Sequence, residues 1–184
     1  IIEEPKNTQI QEEDEGLYLS TSFFLDDKVF KFPFTSKDFL ENGWQAEDLE
    51  QTLNPEDYME ISFFKDGYKE IRAIAYNDTQ QTQKVIDTNI HYIAGSDNSL
   101  GDSVFSYYGE VLGDESILFD DEEFNLDTPD GKIPEYENVY EDKIIYSLMT
   151  YDKNKVFKSF EIMSQEFKNV LIDRDIEDIR RNEE

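Results

Sequence analysis

Over most of the chain apolar and polar positions alternate with a period of two, the spacing of half-buried strands. Two β-rich runs, Leu17 to Leu25 and Lys28 to Phe32, flank Asp26-Asp27 and predict a hairpin with Val29 and Lys31 on one face and Phe30 and Phe32 on the other. Pro33 ends the second strand. Thr35 or Ser36 then supplies an N-cap, Phe39-Leu40 an apolar pair and Gly43 a C-terminal stop, so a short helix is expected, with Trp44 packing back against it. The runs Tyr58 to Phe64 and Tyr68 to Tyr76 flank Lys65-Asp66-Gly67. An Asp-Gly pair there predicts a type I′ hairpin turn, which needs positive φ at both central positions. A strand follows over Thr88 to Ala94, extended backwards by Lys84 to Asp87, and Gly95-Ser96-Asp97-Asn98 breaks it.

From Ser99 to Gly109 the arrangement of capping residue, apolar positions and terminal Gly returns, with Leu100, Val104 and Tyr107 or Tyr108 at helical spacing; a second short helix is expected. Lys143 to Tyr151 and Val156 to Ser164, joined by Asp152-Lys153-Asn154-Lys155, read as a second long hairpin. Phe167, Val170, Leu171, Ile176 and Ile179 fall near helical spacing, so a charged C-terminal helix or tail is expected over 165–184. The halves thus share an order of short helix, connection and long hairpin, and Phe39 and Gly43 align with Phe105 and Gly109. Repeats over 22–94 and 99–164 explain this, as does coincidence between two short helices with terminal glycines. Only four alanines occur, which disfavours a helical bundle. The fold class expected is α+β, an antiparallel sheet with short helices packed on one face, in a single domain over 17–164.

The stretch Lys28-Val29-Phe30-Lys31-Phe32-Pro33-Phe34 running into Ser36-Lys37-Asp38-Phe39-Leu40-Glu41-Asn42-Gly43-Trp44 resembles the opening of a group of surface lipoproteins of Gram-positive bacteria. Ser99-Leu100-Gly101-Asp102-Ser103 with Tyr107-Tyr108-Gly109 is similar to a short helix and Tyr-Gly element of the same group, and to the helix-then-hairpin repeat of β-lactamase-inhibitor-protein-like folds. The likeness spans residues 22 to 163. In that group the domain follows a lipidated cysteine and a polar linker. The resemblance therefore implies an extracytoplasmic, cell-surface location and a lipid anchor upstream of Ile1. Members mostly have no assigned activity, so it implies no catalytic residue.

Charge sharpens this picture. The chain holds 44 Asp and Glu against 17 Lys and Arg, a formal charge of −27, which excludes a free nucleic-acid-binding protein because a phosphate backbone must meet a basic face. Aromatics at 14% argue for a folded core where a disordered acidic chain would be aromatic-poor. The excess is uneven: residues 1–16 carry −5 and read as a flexible acidic linker, residues 114–142 carry −11, and residues 143–184 carry only −1. No cysteine is present, which removes disulfides, thiol nucleophiles and Cys-ligated zinc.

Candidate chemistry is sparse. Within the acidic connection, Asp127-Thr128-Pro129-Asp130-Gly131 with Glu137 beyond is similar to a calcium loop, although Leu126 stands where an EF-hand needs Asp. Asp127, Asp130 and Glu137 are the candidate Ca²⁺ ligands, against a solvated loop, and no other cofactor is indicated. His91 is the sole histidine; no neighbouring nucleophile or ligand marks it, and a strand histidine beside aromatic residues is the expected role. Asn77-Asp78-Thr79 matches a glycosylation sequon and is read as coincidence. Tyrosines on the far face of the hairpins would make an amphipathic recognition surface for a protein or glycan.

With no catalytic constellation, the function expected is a non-catalytic extracytoplasmic binding or interaction domain of a membrane-anchored lipoprotein, its partner a protein or cell-wall glycan. The alternative is an acidic intracellular inhibitor, an immunity protein or nucleic-acid mimic, steered by charge to a basic partner. A carboxylate hydrolase is the third reading and needs two facing acids in a pocket.

Overall fold

The computed structural model describes residues 22–117, 136–140 and 143–183. Strands β1 (Ser22–Leu25) and β2 (Lys28–Lys31) form the first hairpin, with Phe23 opposite Phe30. After β3 (Phe34–Thr35), helix α1 (Ser36–Glu41) starts on a capping box. Thr35 N–H donates to Asp38 Oδ2 at 2.8 Å, and Asp38 sits three residues into the helix. Gly43, at φ 85°, ends the turn, and Trp44 N–H returns to Phe39 O at 3.1 Å. Trp44, 1% exposed, lies against the Phe39 ring at 6.0 Å. The chain continues through β4 (Gln45–Ala46) and β5 (Thr52–Leu53) to the long hairpin of β6 (Tyr58–Lys65) and β7 (Lys69–Tyr76). Asp66 and Gly67 both take positive φ, 55° and 78°, as a type I′ turn requires. Then come β8 (Gln83–Lys84), a 3₁₀ turn (Val85–Asp87), β9 (Asn89–Ser96) and α2 (Asp97–Leu100). Beyond these lie β10 (Phe105–Tyr107), β11 (Glu110–Val111), β12 (Tyr136–Tyr140), β13 (Lys143–Tyr151), β14 (Phe157–Ser164) and α3 (Gln165–Glu183).

Among the described residues the strands assemble into one large antiparallel sheet, ordered β12-β13-β14-β9-β7-β6-β4 with β3 also on β9, a small sheet β11-β10-β1-β2, and the pair β5-β8. This is the α+β class with an antiparallel sheet. One face of the large sheet carries Ile61, Phe63, Ile71, Ala73, Ile93, Phe160, Ile162 and Met149, all buried, at alternate positions of neighbouring strands. The small sheet and α1 close over that face through rings. Phe39 lies 4.7 Å from Phe63, Phe23 5.6 Å from Phe34 on β3, and Phe105 stacks on Phe160 at 3.7 Å with the planes 5° apart. Alanines at 73 and 75 leave room for these rings, a large-against-small arrangement that fills a core without voids.

The structure departs from the sequence expectations at three places. The helix expected over Ser99–Gly109 is only the turn Asp97–Leu100; Phe105–Tyr107 is instead a strand paired with β1, and Tyr108 (φ 55°) with Gly109 (φ 77°) makes the two-residue turn to β11. Val104 is exposed, so the helical spacing carried no buried stripe. The alignment of Phe39 with Phe105 accordingly sets a helix residue against a strand residue. The strand expected over Lys84 to Asp87 is β8 followed by the 3₁₀ turn, because Val85 N–H and Ile86 N–H bond Gln51 O and Leu49 O and draw the chain off the sheet. β9 runs through the expected break to Ser96, since Phe160 pairs with Gly95 and Ser159 with Ser96. The short helix α1 lies on the core face, and Phe167 of the long C-terminal helix α3 packs on Tyr58 and Tyr76, which alternate away from it. The expected acidic linker over 1–16 and most of the acidic connection lie outside the described residues.

Candidate functional site

The second face of the large sheet carries the alternate side chains that the core does not take up among the described residues. Helix α3 crosses one part of it, with Phe167 buried 5.3 Å from the Tyr58 ring, the Arg174 guanidinium 4.5 Å from the same ring, and Lys168 Nζ 3.5 Å over Tyr146. Arg174 also donates to Glu56 O at 2.7 Å, which fixes the helix to the turn before β6. Between α3 and the strands lies a depression of about 360 Å³ lined by Tyr92, Tyr146, Leu148, Met163, Leu171 and Ile172. Beyond the helix a second depression of about 250 Å³ is lined by Glu70, Arg72, Ser96, Thr150, Ser159 and Glu161. Leu148 and Glu161 line both, so the two join into one trough with an apolar end and a polar end.

Burial and hydrogen bonding hold the trough's polar groups. Tyr92 donates to Glu161 across the strands, and its hydroxyl resists ionisation because it is partly buried and beside that carboxylate. Ser62 Oγ donates to Glu70 at 2.9 Å. Arg72, exposed, has no carboxylate within ion-pair distance among the described residues, whereas Lys37, Lys65, Lys69, Lys84, Lys155 and Lys158 all pair with acids. Exposed Phe64 and Leu148 complete the amphipathic character of the face. Sequence alternation left open whether tyrosines of the hairpins stand on the far face; the register, with Leu148 facing Glu161 and Ser62 facing Arg72, shows which residues share the trough.

A separate polar cluster sits at the foot of α3. β9 slips by one residue against β7 here: Ile74 faces Tyr92 and Ala75 faces Ile90, leaving His91 as the extra residue of a bulge. The His91 ring, 2% exposed, lies edge-on to Tyr76 at 5.2 Å, which matches the aromatic surroundings expected for it. It has polar partners as well. Nε2 lies 2.8 Å from Asp78 Oδ2 and Nδ1 2.7 Å from Ser164 Oγ. Asn89 Nδ2 donates to the same Asp78 oxygen at 2.9 Å. Glu166, in the first turn of α3, brings a carboxylate to within 4.8 Å of the Asp78 and His91 ligand atoms. The neighbouring Tyr76 hydroxyl is pushed up by burial and by the charges of Glu166, Glu56 and Asp78. The Ser-His-Asp sequence of contacts resembles a nucleophilic triad, but Ser164 Oγ also accepts from Phe167 N–H at 3.2 Å and so serves as the N-cap of α3.

Of the Ca²⁺ candidates, Asp127 and Asp130 lie outside the described residues, and Glu137 falls on β12, paired with Tyr146. The sequon asparagine has a structural role. Asn77 is fully buried; its Nδ2 donates to Leu53 O (3.0 Å) and Gln81 O (2.7 Å), and its Oδ1 accepts from Thr79 N–H and Oγ1. Asn77→Ala leaves those carbonyls without their donor and is expected to cost about 2 kcal/mol, a fall of about 6 °C in melting temperature. A thermal melt within 1 °C of the parent chain would contradict this. Among the described residues no helix is long and apolar enough to cross a membrane. No protein-family model matches the chain, and neither a curated protein nor a solved structure does so.

Proposed function

We propose that this chain is a non-catalytic binding domain, displayed outside the cytoplasm by an anchored lipoprotein, whose recognition surface is the trough on the second face of the large sheet. The observation that carries this reading is Arg72: in a chain of charge −27, an exposed guanidinium lacks an acidic partner among the described residues at the polar end of a trough whose other end is apolar. Such a surface suits a protein segment that offers aliphatic side chains to Leu148, Met163 and Leu171 and an acidic group to Arg72. A glycan would instead favour flat, open aromatic platforms. Few catalytic roles suit the trough's carboxylates, since Glu70 and Glu161 are each tied to a hydroxyl.

Affinity capture on the immobilised chain from surface extracts of the source cell tests the reading. Retention of the captured protein is expected to fall at least tenfold with Arg72→Glu or Leu148→Asp, and to be unchanged by Lys37→Glu, which makes the same charge change far from the trough. Equal retention by all variants rejects the trough. Binding to purified cell-wall sacculi alone replaces the protein partner by a glycan, and capture that disappears with salt in every variant favours the acidic-inhibitor alternative. The coding sequence upstream of Ile1 tests the location: a signal peptide ending in a lipobox cysteine is expected.

A further inference from the structure

We infer that Asp78, His91 and Glu166 form a binding site for a divalent transition-metal ion of the Zn²⁺ class. The three residues come from different elements: Asp78 from the loop after β7, His91 from the bulge of β9 and Glu166 from the first turn of α3. Each offers one ligand atom, and these atoms lie within 4.8 Å of one another. A tetrahedral ion with bonds of about 2.1 Å holds its ligand atoms roughly 3.4 Å apart. His91 Nε2 and Asp78 Oδ2, at 2.8 Å, need to separate by only a fraction of an ångström, and Glu166 is an exposed side chain with freedom to approach. One imidazole nitrogen and two carboxylate oxygens suit Zn²⁺, with water in the fourth position, better than the all-oxygen shells of Ca²⁺ or Mg²⁺.

Two further observations point to an ion. The first is support behind the ligands. Metal-bound histidines bond a second group through their other ring nitrogen, and His91 Nδ1 is 2.7 Å from Ser164 Oγ while Asn89 steadies the Asp78 carboxylate. The second is charge: among the described residues no Lys or Arg lies within ion-pair distance of Asp78 or Glu166, so two carboxylates converge on a buried imidazole with no cation between them. In the metal-free arrangement the ionised Asp78 can only accept, so Nε2 carries the proton. Zn²⁺ takes that place, the imidazole proton moves to Nδ1, and Nδ1–H donates to Ser164 Oγ, which keeps its bond from Phe167 N–H. No atom is lost and the site becomes neutral. The bound ion would tie α3, one wall of the trough, to β9 and the loop after β7.

Calorimetric titration of the full chain with ZnCl₂, in buffer containing excess Mg²⁺ to occupy loose surface carboxylates, is expected to show one equivalent bound. A saturating excess of Zn²⁺ should raise the melting temperature by about 5 °C or more. Glu166→Gln, at an exposed position, is expected to keep the fold and weaken binding at least tenfold, as should Asp78→Asn; Glu47→Gln, an exposed acid elsewhere, leaves it unchanged. Because His91 is the sole histidine, its ring gives the chain's one imidazole signal in a ¹⁵N NMR spectrum, which should pass from the Nε2–H to the Nδ1–H form on adding Zn²⁺. The inference is overturned by absence of stoichiometric binding, by equal affinity in Glu166→Gln and Glu47→Gln, or by an imidazole signal that Zn²⁺ does not move.

Discussion

Phe39→Ala is expected to lower stability by about 4 kcal/mol and the melting temperature by about 10 °C. Phe39 is fully buried, and five rings surround it: Phe63 at 4.7 Å, Phe30 at 5.0 Å, Phe34 at 5.1 Å, Trp44 at 6.0 Å and Phe23 at 6.5 Å. They come from the strands of both sheets and from the turn after α1, which itself carries Phe39. Removing the ring therefore deletes transfer energy and opens a cavity between elements that cannot collapse independently. Part of the loss is the edge-to-face geometry with Phe34, at 83°, which an aliphatic replacement cannot restore. Phe39→Leu, which fills most of the volume, is expected to recover more than half of the loss. Chemical denaturation of the three chains measures this, and a change below about 1.5 kcal/mol for the alanine variant would refute the central position assigned to the ring.

Gly95→Val should cost about 3 kcal/mol for the opposite reason. Gly95 faces Phe160 across β9 and β14, and a Cβ placed on it lies 2.9 Å from Phe160 Cζ and 3.1 Å from Cε1. That ring cannot retreat, because Phe105 stacks on its other side at 3.7 Å and both rings are buried. An added side chain must therefore bend strands or drive Phe160 off its rotamer, which is the cost of overpacking. Phe160→Leu makes space beside the glycine. In a double-mutant cycle the Gly95→Val and Phe160→Leu losses should fall short of additivity by at least about 1 kcal/mol. Strict additivity would show that the backbone at Gly95, and not the ring, sets the requirement.

What was legible in the sequence was what is decided within a few residues. Asp66-Gly67 stated a type I′ turn because few other pairs accept two positive φ angles, and the turn formed. Thr35 or Ser36 and Gly43 bounded α1, since caps satisfy the backbone groups of their own helix, and Trp44 packed where the chain reversed. The Lys143–Tyr151 and Phe157–Ser164 strands followed from alternation. Ser99–Gly109 shows the limit of such rules. Its helical spacing was outweighed by a partner remote in sequence, because β1 offers Phe105 and Ser106 a strand to pair with, Val104 O accepts from Asp26 N–H at 2.6 Å, and Phe105 gains the stack on Phe160.

The same distance in sequence hid the candidate sites. His91 is 13 residues from Asp78 and 73 from Ser164, separations that match no spacing motif, and each partner reads alone as one more polar residue in an acidic chain. The trough likewise needs three facts that no single strand holds: the register that sets Leu148 against Glu161, the alternation that turns Arg72 from the core, and the side of the sheet that α3 takes. The sequence by itself determined the local elements, the antiparallel class and the heavy negative charge, because backbone conformation, capping and composition are properties of neighbours and sums. Only the tertiary structure decided which face α3 crosses, where an arginine stands without an acidic partner among the described residues and which carboxylates meet His91, because these depend on contacts between residues that the chain keeps far apart.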